Sequence, residues 1–242
     1  MTEIPDLSGK TALVTGASRG IGRAIALGLA KAGAHVLALA RTQGGLEELD
    51  DEIKATGGTA SLIAMDLIEG DGIEKLGQAL ALRFDALDIL IGNAATLGDL
   101  SPLTDIDAKT WNEMMSLNIN ANFRLIRALD PLLRKSADAR VLFLTSRVGG
   151  EEARAYWGAY AISKAALEMM AKNYAAENEK TSISVGVVDP GAMRTKMREQ
   201  AMPGEDPETL TKPDALVPMI YDALADAPGP FKRWVFREWK SA

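Results

Sequence analysis

Short apolar runs alternate with longer stretches of helical periodicity along the whole chain. Thr11–Thr15, Val36–Ala40, Ala60–Met65, Leu87–Ile91, Val141–Thr145 and Ile183–Val188 read as strands, and Arg233–Phe236 as a short seventh. Between them, helices are expected over Gly20–Lys31, Gly45–Ala55 and Gly72–Phe84. The strands are continuously apolar, which a parallel sheet covered on both faces requires. Right-handed crossovers then give an α/β fold, a doubly wound sheet of about seven strands flanked by helices. Ligands of such sheets lie at the carboxyl ends of the strands, and the motifs below fall just there.

Two longer helices are expected over residues 107–135 and 155–179. In the first, Trp111, Met114, Met115, Leu117, Phe123, Leu125, Ile126 and Leu129 cover every side. An all-round apolar helix is buried on two faces. One face is assigned to the sheet. The other is assigned to a second subunit in a homodimer or homotetramer, with packing against loops as the alternative.

Composition narrows the function classes. The 242 residues hold no cysteine and one histidine, which removes disulfides, thiolate nucleophiles and cysteine metal sites. His35 cannot anchor a metal cluster by itself, a Ser-His-Asp hydrolase would have to use it, and its place at the start of the second strand reads as structural. Apolar residues make up 47% and charged residues 25%, as in an ordinary globule. A net charge of −6 without a basic stripe argues against a nucleic-acid partner. No run is long enough for a membrane span, and the start Met1–Asp6 lacks the features of a signal peptide. With no linker or repeat, residues 1–242 read as one domain of a soluble, cytoplasmic protein.

Two motifs carry chemistry. Gly16, Gly20 and Gly22 form a Gly-x-x-x-Gly-x-Gly loop directly after the first strand. Glycines let the backbone approach a ligand, and the helix that follows points free N–H groups at a pyrophosphate. Tyr160 and Lys164 stand four residues apart, one helical turn, so phenol and ammonium share a face. A cation beside a phenol favours the phenolate; lowering a tyrosine pKa by about three units takes roughly 4 kcal/mol. Tyr-x-x-x-Lys is common by chance, and the glycine loop is what gives it weight.

Together, Thr15-Gly16-Ala17-Ser18-Arg19-Gly20-Ile21-Gly22 and Tyr160-Ala161-Ile162-Ser163-Lys164 strongly resemble the short-chain dehydrogenase/reductase family, over residues 8–226. The resemblance implies a Rossmann-like nucleotide-binding fold and an oxidoreductase that interconverts a carbonyl and a secondary alcohol. It implies cofactor contacts from Gly16, Ser18, Arg19, Gly20, Ile21 and Gly22, and adenine contacts at Asp66 and Leu67. Asn93 and Ala94 keep the family's Asn-Asn-Ala-Gly, whereas Gly92 and Ala95 depart from it. Val188, Pro190, Gly191 and Thr195 match the segment over the nicotinamide. Tyr160 becomes the acid/base, Ser146 the group that polarises the carbonyl, Lys164 the ribose ligand that depresses the tyrosine pKa, and Asn118 the holder of a water. Thr145 and Ser163 are rivals of Ser146, and Asn120 of Asn118. Tyr160 and Lys164 also touch the cofactor.

Cofactor choice follows charge. NAD-specific relatives carry an acid at the end of the second strand, where this chain has Ala40 followed by Arg41. Arg41 and Arg19 suit a 2′-phosphate, so NADP(H) is expected over NAD(H). Residues 192–212 would form a lid in which Met193, Met197 and Met202 alternate with Arg194, Lys196 and Arg198, suiting an apolar substrate with a polar or anionic end. Two alternatives remain. One is a 3-oxoacyl-carrier-protein reductase docking its acidic carrier on Arg124, Arg127, Arg134 and Lys135; the other is an NADP(H)-binding sensor without turnover. The tail Pro228–Trp234 departs from the family's Gly-rich final strand.

Overall fold

In a computed structural model that describes residues 3–150, 152–226, 229 and 231–240, seven strands form one parallel sheet in the order β3-β2-β1-β4-β5-β6-β7. The strands are β1 Thr11–Thr15, β2 His35–Ala40, β3 Thr59–Ala64, β4 Ile89–Gly92, β5 Ala139–Leu144, β6 Ile183–Asp189 and β7 Lys232–Val235. The helices are α1 Gly20–Lys31, α2 Gln43–Ala55, α3 Gly72–Ala81, α4 Ala108–Met115, α5 Ala121–Leu133, α6 Arg147–Gly150, α7 Gly158–Glu177, α8 Lys196–Ala201, α9 Val217–Ala225 and α10 Phe236–Trp239. The expected doubly wound architecture is present. Most boundaries differ by one to three residues because apolar patterning does not mark where hydrogen bonding stops.

The continuous apolar strands are explained by the two cores. Successive side chains point to opposite faces. Ala12, Val14, Val36, Ala38, Ala40, Ile89 and Ile91 face a core completed by α1, α2 and α9. Leu13, Leu37, Leu39, Leu90, Val141 and Phe143 face the other, completed by α3, α5 and α7. Each fully buried Leu, Val or Phe contributes about 1.5–3 kcal/mol, so both faces must be covered. Chain order reverses between β1 and β4, which places a crevice at their carboxyl ends.

The helix expected over 107–135 is interrupted. Asp107 caps α4 by accepting from Thr110 N–H, and Ser116–Asn120 then form a π-helical turn before α5 resumes. Nothing apolar in the pattern announces this, because the cause is polar. Asn118 is fully buried and bonds both backbone groups of Thr96 and the Ser163 hydroxyl. The helix expected from residue 155 begins only at Gly158, since Tyr156 adopts φ 72°, outside helical geometry. His35 is structural: its ring nitrogens bond Thr59 and Ser61, and it stacks on Phe84. Met1, Thr2, Pro228 and Pro230 lie outside the described residues, but the tail does end in a strand paired with β6. Among the described residues, no helix is long and apolar enough to cross a membrane.

Candidate active site

The crevice at the sheet's switch point is lined by backbone. Gly16 has φ 67°, and a Cβ there would lie 2.8 Å from Asn93 Nδ2. A Cβ on Gly22 would overlap the Gly16 carbonyl and the same amide. Asn93 holds the turn: its side-chain amide donates to Thr15 O at 2.9 Å and Gly16 O at 3.4 Å. Thr15, fully buried at the end of β1, joins the two loops. Its hydroxyl accepts from Asn93 N–H at 2.9 Å and Ala94 N–H at 3.0 Å. The first turn of α1 carries no acidic residue and no side-chain cap, so the positive end of the helix is not neutralised by a side chain where it meets the glycine loop. This cradle fits a dinucleotide pyrophosphate.

Further motifs converge here. Thr195 approaches the loop, with its methyl group 3.4 Å from where a Cβ of Gly20 would be, and it caps α8 by accepting from Arg198 N–H. Val188 and Pro190 to Gly191 follow in the strand and turn that lead to it. At the far end, Asp66 accepts from Ile68 N–H at 2.9 Å and pairs with Arg41 at 3.5 Å. Leu67 is buried beside it, while Arg41, Arg19 and Ser18 line the exposed or half-exposed rim.

At the other end stand Ser146, Tyr160 and Lys164. The first turn of α7 buries Tyr160, and Trp157 meets its ring edge-on at a centroid distance of 6.0 Å. Lys164 is buried; its Nζ donates to Leu144 O at 2.7 Å and lies 5.8 Å from the Tyr160 ring centroid. The Ser146 hydroxyl stands beside the Tyr160 phenol, close enough to favour its ionised form. The rivals are committed elsewhere. Thr145 donates to Glu168 at 2.6 Å, and Ser163 donates to Tyr160 O at 2.8 Å while accepting from Asn118. Asn120 lies in the π-helical turn without replacing Asn118 in its buried bonds.

The electrostatics depart from the expected depression of the tyrosine. Burial pushes the Tyr160 phenol up to about 12, with the Asp189 carboxylate adding to the rise and Ser146 opposing it. Burial pulls the Lys164 ammonium down to about 8, against the pull of Glu168. The protein alone therefore keeps Tyr160 protonated at neutral pH, because desolvation outweighs a lysine whose ammonium is spent on a carbonyl. Asn118 also differs in detail: both of its amide protons are used by Thr96 and Ser163, so its side chain braces the loop after β4. Sequence reasoning missed Thr15, Glu168 and Arg233. Thr15 stood at the head of the glycine motif without a role of its own, and Glu168 left a trace as an acid one turn beyond Lys164 on the same face.

Beside Tyr160, Leu97, Val148, Trp157, Met197 and Met202 form an apolar wall. Two of the lid's cations are already paired: Arg194 grips Glu208 at 2.8 and 2.9 Å, and Arg198 grips Glu205 at 2.6 Å. They brace the lid, which weakens the expectation that they receive an anionic end of the substrate. A cavity of about 340 Å³ lies within the lid between Arg194 and Leu210, and Ser146, Tyr160 and Lys164 do not line it.

Comparison with known proteins agrees with this geometry. The family model for short chain dehydrogenases matches residues 10–206. The chain is 38% identical to the uncharacterized oxidoreductase YciK of Escherichia coli K12, covering 91% of this chain and 88% of that protein. It is 37% identical to the rhamnolipids biosynthesis 3-oxoacyl-[acyl-carrier-protein] reductase of Pseudomonas aeruginosa, covering 88% and 83%. A short chain dehydrogenase of Shigella flexneri complexed with NADP superposes with a TM-score of 0.92 at 34% identity, covering 97% of this chain and all of that one.

Proposed function

The chain belongs to the short chain dehydrogenase family, a family of oxidoreductases, and from that premise we propose that it is an NADP(H)-dependent enzyme interconverting a carbonyl and a secondary alcohol. The observation that carries the reading is the meeting of Ser146, Tyr160 and Lys164 at one end of the crevice whose other end carries Arg41. When bound, the nicotinamide supplies or accepts the hydride. The glycine loop and the start of α1 hold the pyrophosphate, Thr195 holds the carboxamide end, and Asp66 and Leu67 flank the adenine. In reduction, Ser146 donates a hydrogen bond to the carbonyl oxygen and Tyr160 gives that oxygen its proton. A phenol that stays protonated at neutral pH suits the acid role. Lys164 binds the nicotinamide ribose, and Asn118 keeps the π-helical turn in place behind it. In oxidation Tyr160 must accept a proton, so the rate of oxidation should climb with pH where reduction does not.

The whole chain acts as one domain, with residues 192–212 as its lid. The apolar wall beside Tyr160 points to an apolar carbonyl substrate. Three similar proteins are named 3-oxoacyl-[acyl-carrier-protein] reductases, which keeps that second reading in view. The carrier-docking patch it needs is weak, because Arg124 pairs with Glu74, Arg134 with Asp130, and Arg127 covers Phe123. Following NADPH absorbance with a panel of apolar ketones, aldehydes and 3-oxoacyl thioesters tests the proposal. Oxidation of NADPH that depends on an added carbonyl is the expected result; a protein that binds NADPH and turns over none of the panel would speak for the sensor alternative.

We also propose a homodimer or homotetramer built on the outer faces of α5 and α7. Phe123, Ile162 and Met169 are exposed there, between 41% and 57% of their full surface. Light scattering at micromolar concentration should show a mass of at least twice 25.8 kDa; a monomer would leave these side chains without a role.

A further inference from the structure

Behind Tyr160 and Lys164 lies a second set of charges that proton transfer does not use. Glu168 stands one turn beyond Lys164 on α7, and Asp189 ends β6; both are buried, at 5% and 3% exposure. Arg233 of β7 reaches between them. Its Nη2 donates to Asp189 Oδ2 at 2.9 Å, and its Nε donates to Glu168 Oε1 at 3.3 Å.

Each carboxylate also holds a segment of the site. Glu168 Oε1 accepts from the Thr145 hydroxyl at 2.6 Å, and Thr145 immediately precedes Ser146. Gly150, closing the turn that follows Ser146, leaves so little room that a Cβ would lie 2.8 Å from Glu168 Oε1. Asp189 Oδ1 accepts from Gly191 N–H at 3.0 Å, at the start of the turn that leads to Thr195. Two cations, Lys164 and Arg233, thus stand among two buried carboxylates. Buried charges persist only when paired and hydrogen-bonded, and removing one partner leaves the others uncompensated.

We propose that Arg233 is a positioning residue for the reaction: it ties the segment bearing Ser146 to the segment bearing Thr195 and balances the two carboxylates buried beside Tyr160 and Lys164. This rests on the reading of Tyr160 as the acid/base. It also gives the atypical tail a task, since the C-terminal strand delivers the guanidinium. Tyr160 is faced by Ser146, by Asp189 and by Lys164 on its own helix; Lys164 is faced by Glu168 and the Leu144 carbonyl. Asp189 already raises the phenol and Glu168 already raises the ammonium. Without Arg233, both carboxylates act at greater strength, so both groups hold their protons to higher pH.

The test titrates Lys164 by NMR in cofactor-free protein carrying 13C-lysine, with its resonance assigned by loss in Lys164→Arg. Arg233→Met should raise the Lys164 midpoint by about one pH unit, and Glu168→Gln should lower it, since the ammonium loses its nearest anion. Arg233→Lys should leave the midpoint near that of the wild type. Lacking the planar fork that spans both carboxylates, it should still lower kcat about tenfold for any carbonyl reduced, with KM for NADPH nearly constant. The rising limb of alcohol oxidation should move to higher pH in Arg233→Met. A folded Arg233→Met with the wild-type Lys164 midpoint would overturn the proposal. If that variant does not fold, an unmoved midpoint in Glu168→Gln, or full kcat in Arg233→Lys, would do so instead. A wild type that reduces no carbonyl refutes the acid/base reading separately, and the Lys164 titration still decides the role of Arg233.

Discussion

Replacing Tyr160 by Phe should lower turnover of any carbonyl the enzyme reduces by at least about a hundredfold, while NADPH affinity stays the same. The substitution removes one oxygen and keeps the ring. That ring is 8% exposed, packed edge-on against Trp157 and beside the Lys164 ammonium, and all of those contacts survive. The proton donor does not. Ser146 can still hold a carbonyl oxygen, but a serine hydroxyl is far too weak an acid to replace a phenol. The pH dependence adds a second check. A phenol pushed up to about 12 stays protonated through the neutral range, so reduction should not fall there for want of an acid. Lys164, pulled down to about 8, loses its charge as pH rises through that value, and with it the ammonium that holds the ribose. Reduction should therefore decline above about pH 8 through a rising KM for NADPH. Steady-state kinetics of both proteins across pH reads both effects. A Tyr160→Phe enzyme that keeps most of the wild-type rate would refute the assignment of the acid.

The parts of this molecule set by local rules were legible in its sequence. Strands buried on both faces have to be largely apolar, so Thr11–Thr15 announces itself, as does the fifth strand, expected over Val141–Thr145 and found over Ala139–Leu144. Gly16 and Gly22 are legible for a related reason, because close approach of the loop to Asn93 leaves no room for a side chain. Tyr160 and Lys164 share one helix, where spacing alone places them on one face. What escaped are the contacts made across the fold. The π-helical turn at Ser116–Asn120 depends on Asn118 meeting Thr96 and Ser163, and no periodicity along one helix reports that meeting. Arg233 and Glu168 are 65 residues apart in sequence and touch only because β7 lies beside β6. The tyrosine's environment in the protein alone was only half legible for the same reason. The adjacent lysine was visible, whereas the depth of burial and the distant Asp189 carboxylate were not.

Cofactor preference should invert when the end of β2 is rewritten. In the wild type, NADPH should bind more tightly than NADH by a factor of tens, equivalent to about 2 kcal/mol. The preference is assigned to Arg41, whose side chain is 66% exposed and only loosely paired with Asp66 at 3.5 Å. An exposed pair of that length is worth about 0–1 kcal/mol, so a dianionic 2′-phosphate competes well for the guanidinium. Arg19, exposed at the start of α1, faces the same rim and adds to the attraction. Ala40 closes β2 and is 6% exposed. An aspartate there would accept from the ribose hydroxyls of NADH and repel a 2′-phosphate. Ala40→Asp with Arg41→Ala thus adds the repulsion and removes the attraction in one protein, and discrimination needs both. Calorimetry with the two reduced cofactors should show NADH binding more tightly than NADPH in the double variant. Raising the salt concentration should weaken NADPH binding to the wild type far more than NADH binding, because the contacts at this rim are solvent-exposed. Equal wild-type affinities for the two cofactors, insensitive to salt, would remove Arg41 from the recognition of the 2′-phosphate and leave the end of β2 without a part in the choice.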